Sequence, residues 1–189
     1  MIIKLKKKNV MNDDIFFSAV AYFHRLNKPN FVEMLYQLQT HCSGAGQQLN
    51  RMHDIADSTR QNLRPINPMP LFNDIHFYFI CVANVKKDFE HIRAFFDKCQ
   101  HSGGLKEMYK KYKYFFELAY RMRGDLEHFK DHLSPEHLKN FSNVRIGSNS
   151  ILYILGSKKN EINFKDNSLF DFINDFERWI EKYIKESRF

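Results

Sequence analysis

The sequence predicts a mainly α fold: an up-and-down bundle of long helices, with a small β-hairpin or meander before a C-terminal helix. Three observations carry this. Apolar residues recur at alternating steps of three and four over three long segments, the mark of helices with one buried face. Proline- and glycine-rich breaks fall between those segments. After Leu133 the helical period gives way to β-branched and aromatic residues set among turn residues, then returns near the end of the chain.

A first, shorter helix is expected over residues 13–26, capped by Asn12 or Asp13, whose side-chain oxygens can accept from otherwise unpaired first-turn N–H groups. The next stripe is Phe31, Leu35, Leu38, Cys42, Ala45, Leu49, Met52 and Ala56. Gly44 and Gly46 weaken it locally, yet the stripe runs through them and predicts one long helix, kinked at most. The prolines of "LRPINPMP" (63–70) must then break the chain. The second stripe is Leu71, Ile75, Tyr78, Val82, Val85, Phe89, Ile92, Phe96 and Cys99. "QHSGG" (100–104) is short enough to lay the next helix antiparallel to it. The third stripe is Met108, Tyr112, Phe115, Ala119, Met122, Leu126, Phe129 and Leu133.

"SPEH" then opens a short helix, with Ser134 as cap and Pro135 in the first turn. Short strands are expected over 144–146, 151–155 and 161–164, and a closing helix over 169–185. That helix buries Leu169, Ile173, Phe176, Ile180 and Tyr183, with Ser168 and Asp171 as a variant capping box. The expected organisation is a single domain over 1–189. It divides into a basic arm at 1–10, a bundle core at 12–133, a β-hairpin at 142–165 and the C-terminal helix at 168–187.

Aromatic residues make up 15% of the chain, enough for a packed core and too much for whole-chain disorder. The net charge of +7 permits an acidic partner such as nucleic acid without demanding one. Cys42, Cys81 and Cys99 are scattered and odd in number, with no CxxC pair, which excludes a zinc ribbon or a dithiol redox motif. They read as buried thiols in a reducing compartment. The start "MIIKLKKKNV" lacks the apolar core of a signal peptide, and no apolar run reaches bilayer length. The expected setting is therefore cytoplasmic, without membrane contact. No P-loop, GxGxxG or nucleophile elbow is present.

Chemistry concentrates in "RMRGDLEHFKDHL", residues 121–133. At 100° per residue, Met122, Leu126, Phe129 and Leu133 follow the core stripe. Arg121, Asp125, His128 and His132 share one flank, extended by Tyr114 and Leu118; Arg123, Glu127 and Lys130 lie on the other. His128 and His132 have the i, i+4 spacing of two zinc ligands, with His137 a candidate third. The glutamate precedes the first histidine, however, so this is not HExxH, and neither metal nor cofactor is expected.

The segment resembles the signature of the HEPN superfamily, helical-bundle proteins that include metal-independent endoribonucleases. Their motif is an arginine, four to six residues, then a histidine, set in a bundle helix. Arg123 reaches His128 across four residues and Arg121 reaches it across six. In the family a polar residue usually follows the arginine; here Met122 and Gly124 stand in that place. The likeness spans residues 31–133 in architecture and this short motif in residues.

The resemblance implies an RNA-cleaving homodimer in a toxin or phage-defence setting, with an antitoxin or other protein as further partner. RNA brings its own nucleophile, the 2′-hydroxyl. His128 would be the general base and an arginine the phosphate clamp. Arg121 lies about 20° from His128 around the axis and Arg123 about 140°. Arg121 is thus the expected partner within one protomer, and Arg123 the alternative, presented across a dimer. Asp125 would hold either Arg121 or His128.

Upstream, "LKEMYKKYKYFF" (105–116) interleaves lysines with tyrosines. Lys106, Lys110, Lys111 and Lys113 could meet phosphates while Tyr109 or Tyr114 stacks on bases, with His132 at the far end of the edge. Lys4, Lys6, Lys7 and Lys8 would add affinity. Two nearer explanations compete. Arg121 with Asp125 and Arg123 with Glu127 are ordinary helix pairs of about 0.2–0.5 kcal/mol, and lysine faces are usually just solvated. A non-catalytic protein-interaction module therefore stands as the alternative. His76 and Asn84, beside the second stripe, could face the third helix across the bundle, though a core histidine satisfied by hydrogen bonds is the commoner outcome.

Overall fold

A computed structural model of the chain describes residues 11–62, 68–97, 102–131, 145–146, 150–155, 158–163 and 167–187. Five helices carry it: α1 (Asp13–Arg25), α2 (Pro29–Asn62), α3 (Pro68–Phe96), α4 (Ser102–Asp131) and α5 (Ser168–Glu186). Between α4 and α5 lies an antiparallel sheet of β1 (Arg145–Ile146), β2 (Ser150–Leu155) and β3 (Lys158–Asn163), in that order. The mainly α bundle with a small meander before the last helix is thus the architecture found. The N-terminal arm, Cys99, the "SPEH" helix, His132, Leu133 and His137 lie outside the described residues, as do the side chains of His128, Phe129 and Lys130.

Local chemistry sets the helix ends. The Asn12 side chain accepts from the Asp14 backbone N–H at 2.9 Å, capping α1. At the other end Asn27 takes φ 53°, a left-handed conformation that asparagine tolerates better than most residues. The N–H groups of Asn27 and Lys28 then donate to His24 and Phe23 carbonyls at 3.0 Å, closing the helix with a Schellman pair. Lys28 O in turn accepts from Phe31 and Val32, so α2 starts at once, with Pro29 where its missing N–H costs nothing.

Every residue of the first stripe is buried, and α2 runs unbroken through Gly44 and Gly46. Gly44 has a packing reason: a Cβ built there would meet Cys81 Sγ at 2.8 Å. Its absence lets α2 and α3 approach closely. The second stripe is buried from Leu71 to Phe96. The third departs at one point: Phe116 is fully buried, whereas Phe115 is half-buried. Alternation of three and four tolerates either position, and α5 decides between them, because Phe116 meets Phe172 with ring centroids 5.2 Å apart.

On α5, Leu169, Ile173, Phe176 and Ile180 of the expected face are buried and Phe172 joins them, whereas Tyr183 is half-buried and Ile184 takes the buried place beside it. Ser168 is the first helical residue and Asn167 holds the cap position without a side-chain cap bond, so the expected capping box is not what starts α5. The third strand begins at Lys158, because the ladder pairs Leu155 with Lys158 and Ser150 with Asn163. Backbone pairing thus recruits polar residues that the apolar pattern passes over. The described buried apolar residues, Ala83 apart, form one continuous cluster.

The Gly44 contact makes a testable coupling. Alanine favours an exposed or neutral helix site over glycine by about 1 kcal/mol. Gly44→Ala should show that gain in urea unfolding of a Cys81→Ala protein and should show less of it, or a loss, with Cys81 present. Equal effects in both backgrounds would remove the close approach as the reason for this glycine.

Candidate functional site

Of the predicted α4 edge, the described side chains are those of Tyr114, Leu118, Arg121 and Asp125. Tyr114 is 76% exposed, Arg121 is exposed, and Asp125 is half-buried. Tyr120, 62% exposed, sits on the side of α4 nearer α3, with Lys86 Nζ 5.4 Å from its ring centroid. Arg123 is on the other flank and is engaged, its Nε donating to Glu127 Oε1 at 2.8 Å. Arg121 carries no ion pair among the described residues. The two arginines therefore differ, Arg123 committed to Glu127 and Arg121 without an ion pair among the described residues. The backbone of α4 carries residue 128 on the same helix, and the side chain of His128 lies outside the described residues.

The lysines upstream are less free than their spacing suggests. Lys106 meets Asp97 at 3.0 Å, Lys110 meets Glu107 at 2.8 Å and Lys113 meets Glu117 at 3.6 Å. Such exposed pairs are weak and exchange readily with other anions. Lys111 is different. Its Nζ and the Tyr112 hydroxyl both donate to Asp175 Oδ2 of α5 at 2.7 Å, and Arg178 donates to the other oxygen at 2.6 Å. Burial pushes the Asp175 carboxyl up, but those donors outweigh it and hold the carboxyl below its usual range. Lys111 therefore ties α4 to α5. Tyr109 also turns inward, donating to Glu90 Oε1 at 3.0 Å with the Arg93 guanidinium 4.1 Å from its ring centroid.

A cavity of about 220 Å³ opens between the end of α3 and the start of α4, lined by Glu90, Arg93, Asp97, Ser102, Leu105 and Lys106 among others. Its cations and carboxylates are balanced. Among the described residues no group of three or more His, Cys, Asp or Glu side chains is arranged to hold a metal ion. No described helix is long and apolar enough to cross a membrane.

One constellation escaped the sequence reading. His41 Nδ1 on α2 lies 2.6 Å from Asp88 Oδ2 on α3, and Asn84 Nδ2, one turn before Asp88, lies 3.4 Å from His41 Nε2. The Asp88 side chain is 5% exposed and the His41 side chain 29%. His41 sits one residue before the buried Cys42, and nothing local marks it; Asp88 sits one before the buried Phe89. The available signal was a register argument, because antiparallel α2 and α3 bring position 41 level with 84, one turn from 88, once Gly44 is set against Cys81. His76 is buried, its ring tilted against those of Phe72 and Phe77, and Asn84 is half-buried in the polar seam.

Two thiols flank this seam. Burial pushes the Cys42 thiol far up, with Asp88, Cys81 and Glu177 adding to the shift, so it stays protonated and unreactive. Burial also raises half-buried Cys81. The chain matches no family profile, no curated protein and no solved structure.

Asp88 gives a pH prediction. Burial raises its carboxyl above the ordinary carboxylate range, and the His41 hydrogen bond offsets only part of this. The folded state then holds the proton more tightly than the unfolded chain. The contribution of Asp88 to stability therefore falls as pH rises from about 4, the unfolded value, through its folded value. Asp88→Asn removes that titration. Urea midpoints between pH 4 and 7 should decline less steeply in the variant than in the wild type, and superimposable profiles would refute the raised carboxyl.

Proposed function

We propose that this protein acts on RNA as a HEPN-like, metal-independent endoribonuclease, working as a homodimer. The observation that supports this best is the open edge of α4. There Arg121, exposed and without an ion pair among the described residues, shares a helix face with the highly exposed Tyr114. A free guanidinium offers a planar fork to phosphate oxygens, and an exposed ring offers a stacking surface to an unpaired base. Lys110 and Lys113, held only by exposed pairs, can turn to the phosphate backbone at little cost. By resemblance His128 takes the proton from the 2′-hydroxyl, Asp125 positions it, and cleavage leaves a 2′,3′-cyclic phosphate. Arg123, bound to Glu127, is the weaker candidate for the clamp.

A second reading, a protein-interaction module, is favoured by a different surface. Phe17 of α1 and Tyr36 of α2, 57% and 47% exposed, both pack edge-on against Phe16 at 5.3 and 5.1 Å. Neighbouring exposed rings of this kind suit a protein partner.

The test is cleavage of a labelled RNA pool in EDTA by the wild type and by His128→Ala purified identically. The nuclease reading expects cleavage that survives the chelator and is lost or sharply reduced in the variant. Equal cleavage by both would point away from His128. Folded protein that neither binds nor cuts RNA would favour the interaction module.

Binding separates the roles on α4. Tyr114→Ala should weaken single-stranded RNA binding by about 1–3 kcal/mol, the usual worth of one stacked base. Arg121→Ala should reduce the slope of log K against log salt by about 1, as for one lost phosphate contact. An unchanged slope would remove Arg121 from the phosphate contacts.

A further inference from the structure

The cavity between the end of α3 and the start of α4 holds a cation whose donors are unspent. Arg93 lines it, with its guanidinium carbon 4.1 Å from the Tyr109 ring centroid. That stacking uses the face of the guanidinium and leaves the N–H donors in its plane. Two carboxylates stand at helix-pairing spacing, Glu90 one turn before Arg93 and Asp97 one turn after it. Neither takes the guanidinium. Glu90 accepts from the Tyr109 hydroxyl at 3.0 Å and meets Lys86 at 3.6 Å, and Asp97 meets Lys106 at 3.0 Å. Arg93 Nε is buried without a hydrogen-bond partner, and the side chain makes no ion pair among the described residues. An arginine kept only to join α3 to α4 would pair with neighbours this near. This one is held by its ring face, with its edge left over.

The rest of the lining narrows what fits against that edge. The first turn of α4, residues 102–105, carries no acidic side chain, so no carboxylate of that turn answers the positive end of the helix. Gly103 is exposed, and a Cβ built there would meet nothing within 4 Å, so the backbone is open to approach. Ser102 adds a hydroxyl to the same wall. The Lys106–Asp97 pair is exposed at both ends and exchanges readily with another anion. Donors therefore converge from the guanidinium, the helix start and the lysine. A carboxylate has two oxygens to offer them; a phosphate group has three or four and can meet all three. The cavity, about 220 Å³, falls short of the roughly 300–1,000 Å³ that drug-sized ligands occupy, so the molecule it takes is small. Ala94 and Leu105 supply its apolar wall.

We infer that this cavity binds a phosphate group, with Arg93 as its clamp and the first turn of α4 and Lys106 completing the cradle. The group arrives as free inorganic phosphate or on a small phosphate monoester. Arg93 gives its planar fork to two oxygens, and Lys106 turns from Asp97 to a third. Asp97 is then the group that opposes binding, because it competes for Lys106 and repels the anion. Glu90 opposes it less, since the Tyr109 hydroxyl and Lys86 remain on that carboxylate. The site stands apart from the RNA reading: neither Tyr114 nor Arg121 lines the cavity.

The experiment is titration calorimetry in a phosphate-free buffer, with inorganic phosphate and glycerol phosphate as probes. The proteins are the wild type, Arg93→Gln, Arg93→Lys and Asp97→Asn, each checked by its urea midpoint. The wild type should bind at least one probe saturably. Arg93→Gln should weaken that binding by about tenfold or more, the usual worth of a charge-assisted hydrogen bond. Arg93→Lys should recover only part of it, because an ammonium keeps the charge and loses the fork. Asp97→Asn should bind more tightly than the wild type, a gain that general damage to the fold does not produce. Tighter binding of glycerol phosphate assigns the site to a monoester, and equal or tighter binding of inorganic phosphate assigns it to the free ion. Should Arg93→Gln fail to fold, Arg93→Lys and Asp97→Asn decide. No saturable binding of either probe to the wild type, or equal binding by the wild type and the Arg93 variants, would overturn the inference and leave the RNA reading standing.

Discussion

The bundle depends on the ring contacts made by α5. Phe172 meets Phe89 of α3 at 5.0 Å, Phe116 of α4 at 5.2 Å and Tyr112 of α4 at 5.5 Å. Two turns on, Trp179 meets Phe96 of α3 at 5.1 Å, and Tyr183 meets Phe96 at 4.9 Å and Phe23 of α1 at 5.8 Å. Most of these are edge-to-face, the geometry in which ring quadrupoles attract, and such pairs add about 0.5–1.5 kcal/mol each to the burial itself. One helix face thus reaches three other helices. Without it, the antiparallel sheet of helices α2, α3 and α4 would present an open row of phenylalanines, and α1 would keep its packing on α2 and the Phe23–Phe96 contact with α3. Gly104 serves the same contact: a Cβ there would meet Trp179 Cδ1 at 2.9 Å.

Rings pull without fixing register, so the polar rim of α5 does that work. Asp175 collects Lys111, Tyr112 and Arg178 and stays ionised, because donors outweigh its burial. Glu177 on the α1 side ends the other way. Burial raises its carboxyl, and the Asn12 N–H restores only part of the lost solvation. The α4 edge of α5 is therefore the anchored one, and the α1 edge is held mainly by hydrocarbon.

The helices were legible because period alone reports burial. Nearly every residue of the first two stripes is buried where described, from Phe31 to Ala56 and from Leu71 to Phe96. The failures occur where a neighbour, not the segment itself, decides. Phe116 displaces Phe115 from the core because Phe172 stands opposite. The third strand gains Lys158 and Lys159 because β2 pairs with them. On α4 the sequence offered two pairs at the same spacing, Arg121 with Asp125 and Arg123 with Glu127, and the second is the one found. The lysines looked alike in sequence, yet Lys111 is set apart by Asp175, sixty-four positions away. His41 and Asp88 are forty-seven apart, and no local pattern connects a polar residue on one helix with its counterpart on the next.

The α4 edge and the α2–α3 seam share a single rigid element. Along α3, Lys86, Glu90, Arg93 and Asp97 turn toward α4, while Asp74, Cys81, Asn84 and Asp88 turn toward α2, meeting Arg51, Gly44 and His41. The Ile75–Val82–Phe89–Phe96 stripe lies between these faces and is buried throughout. Because that stripe is close-packed, α3 cannot rotate to favour one face without disturbing the core. The position of the imidazole is therefore set by backbone approach rather than by its own hydrogen bonds. Gly44 lies one turn beyond His41, and its missing Cβ is what lets the two backbones come near Cys81. A wider seam would lengthen the 2.6 Å His41–Asp88 contact and leave a buried carboxylate without its partner. Gly44 thus governs whether His41 keeps its short contact with Asp88.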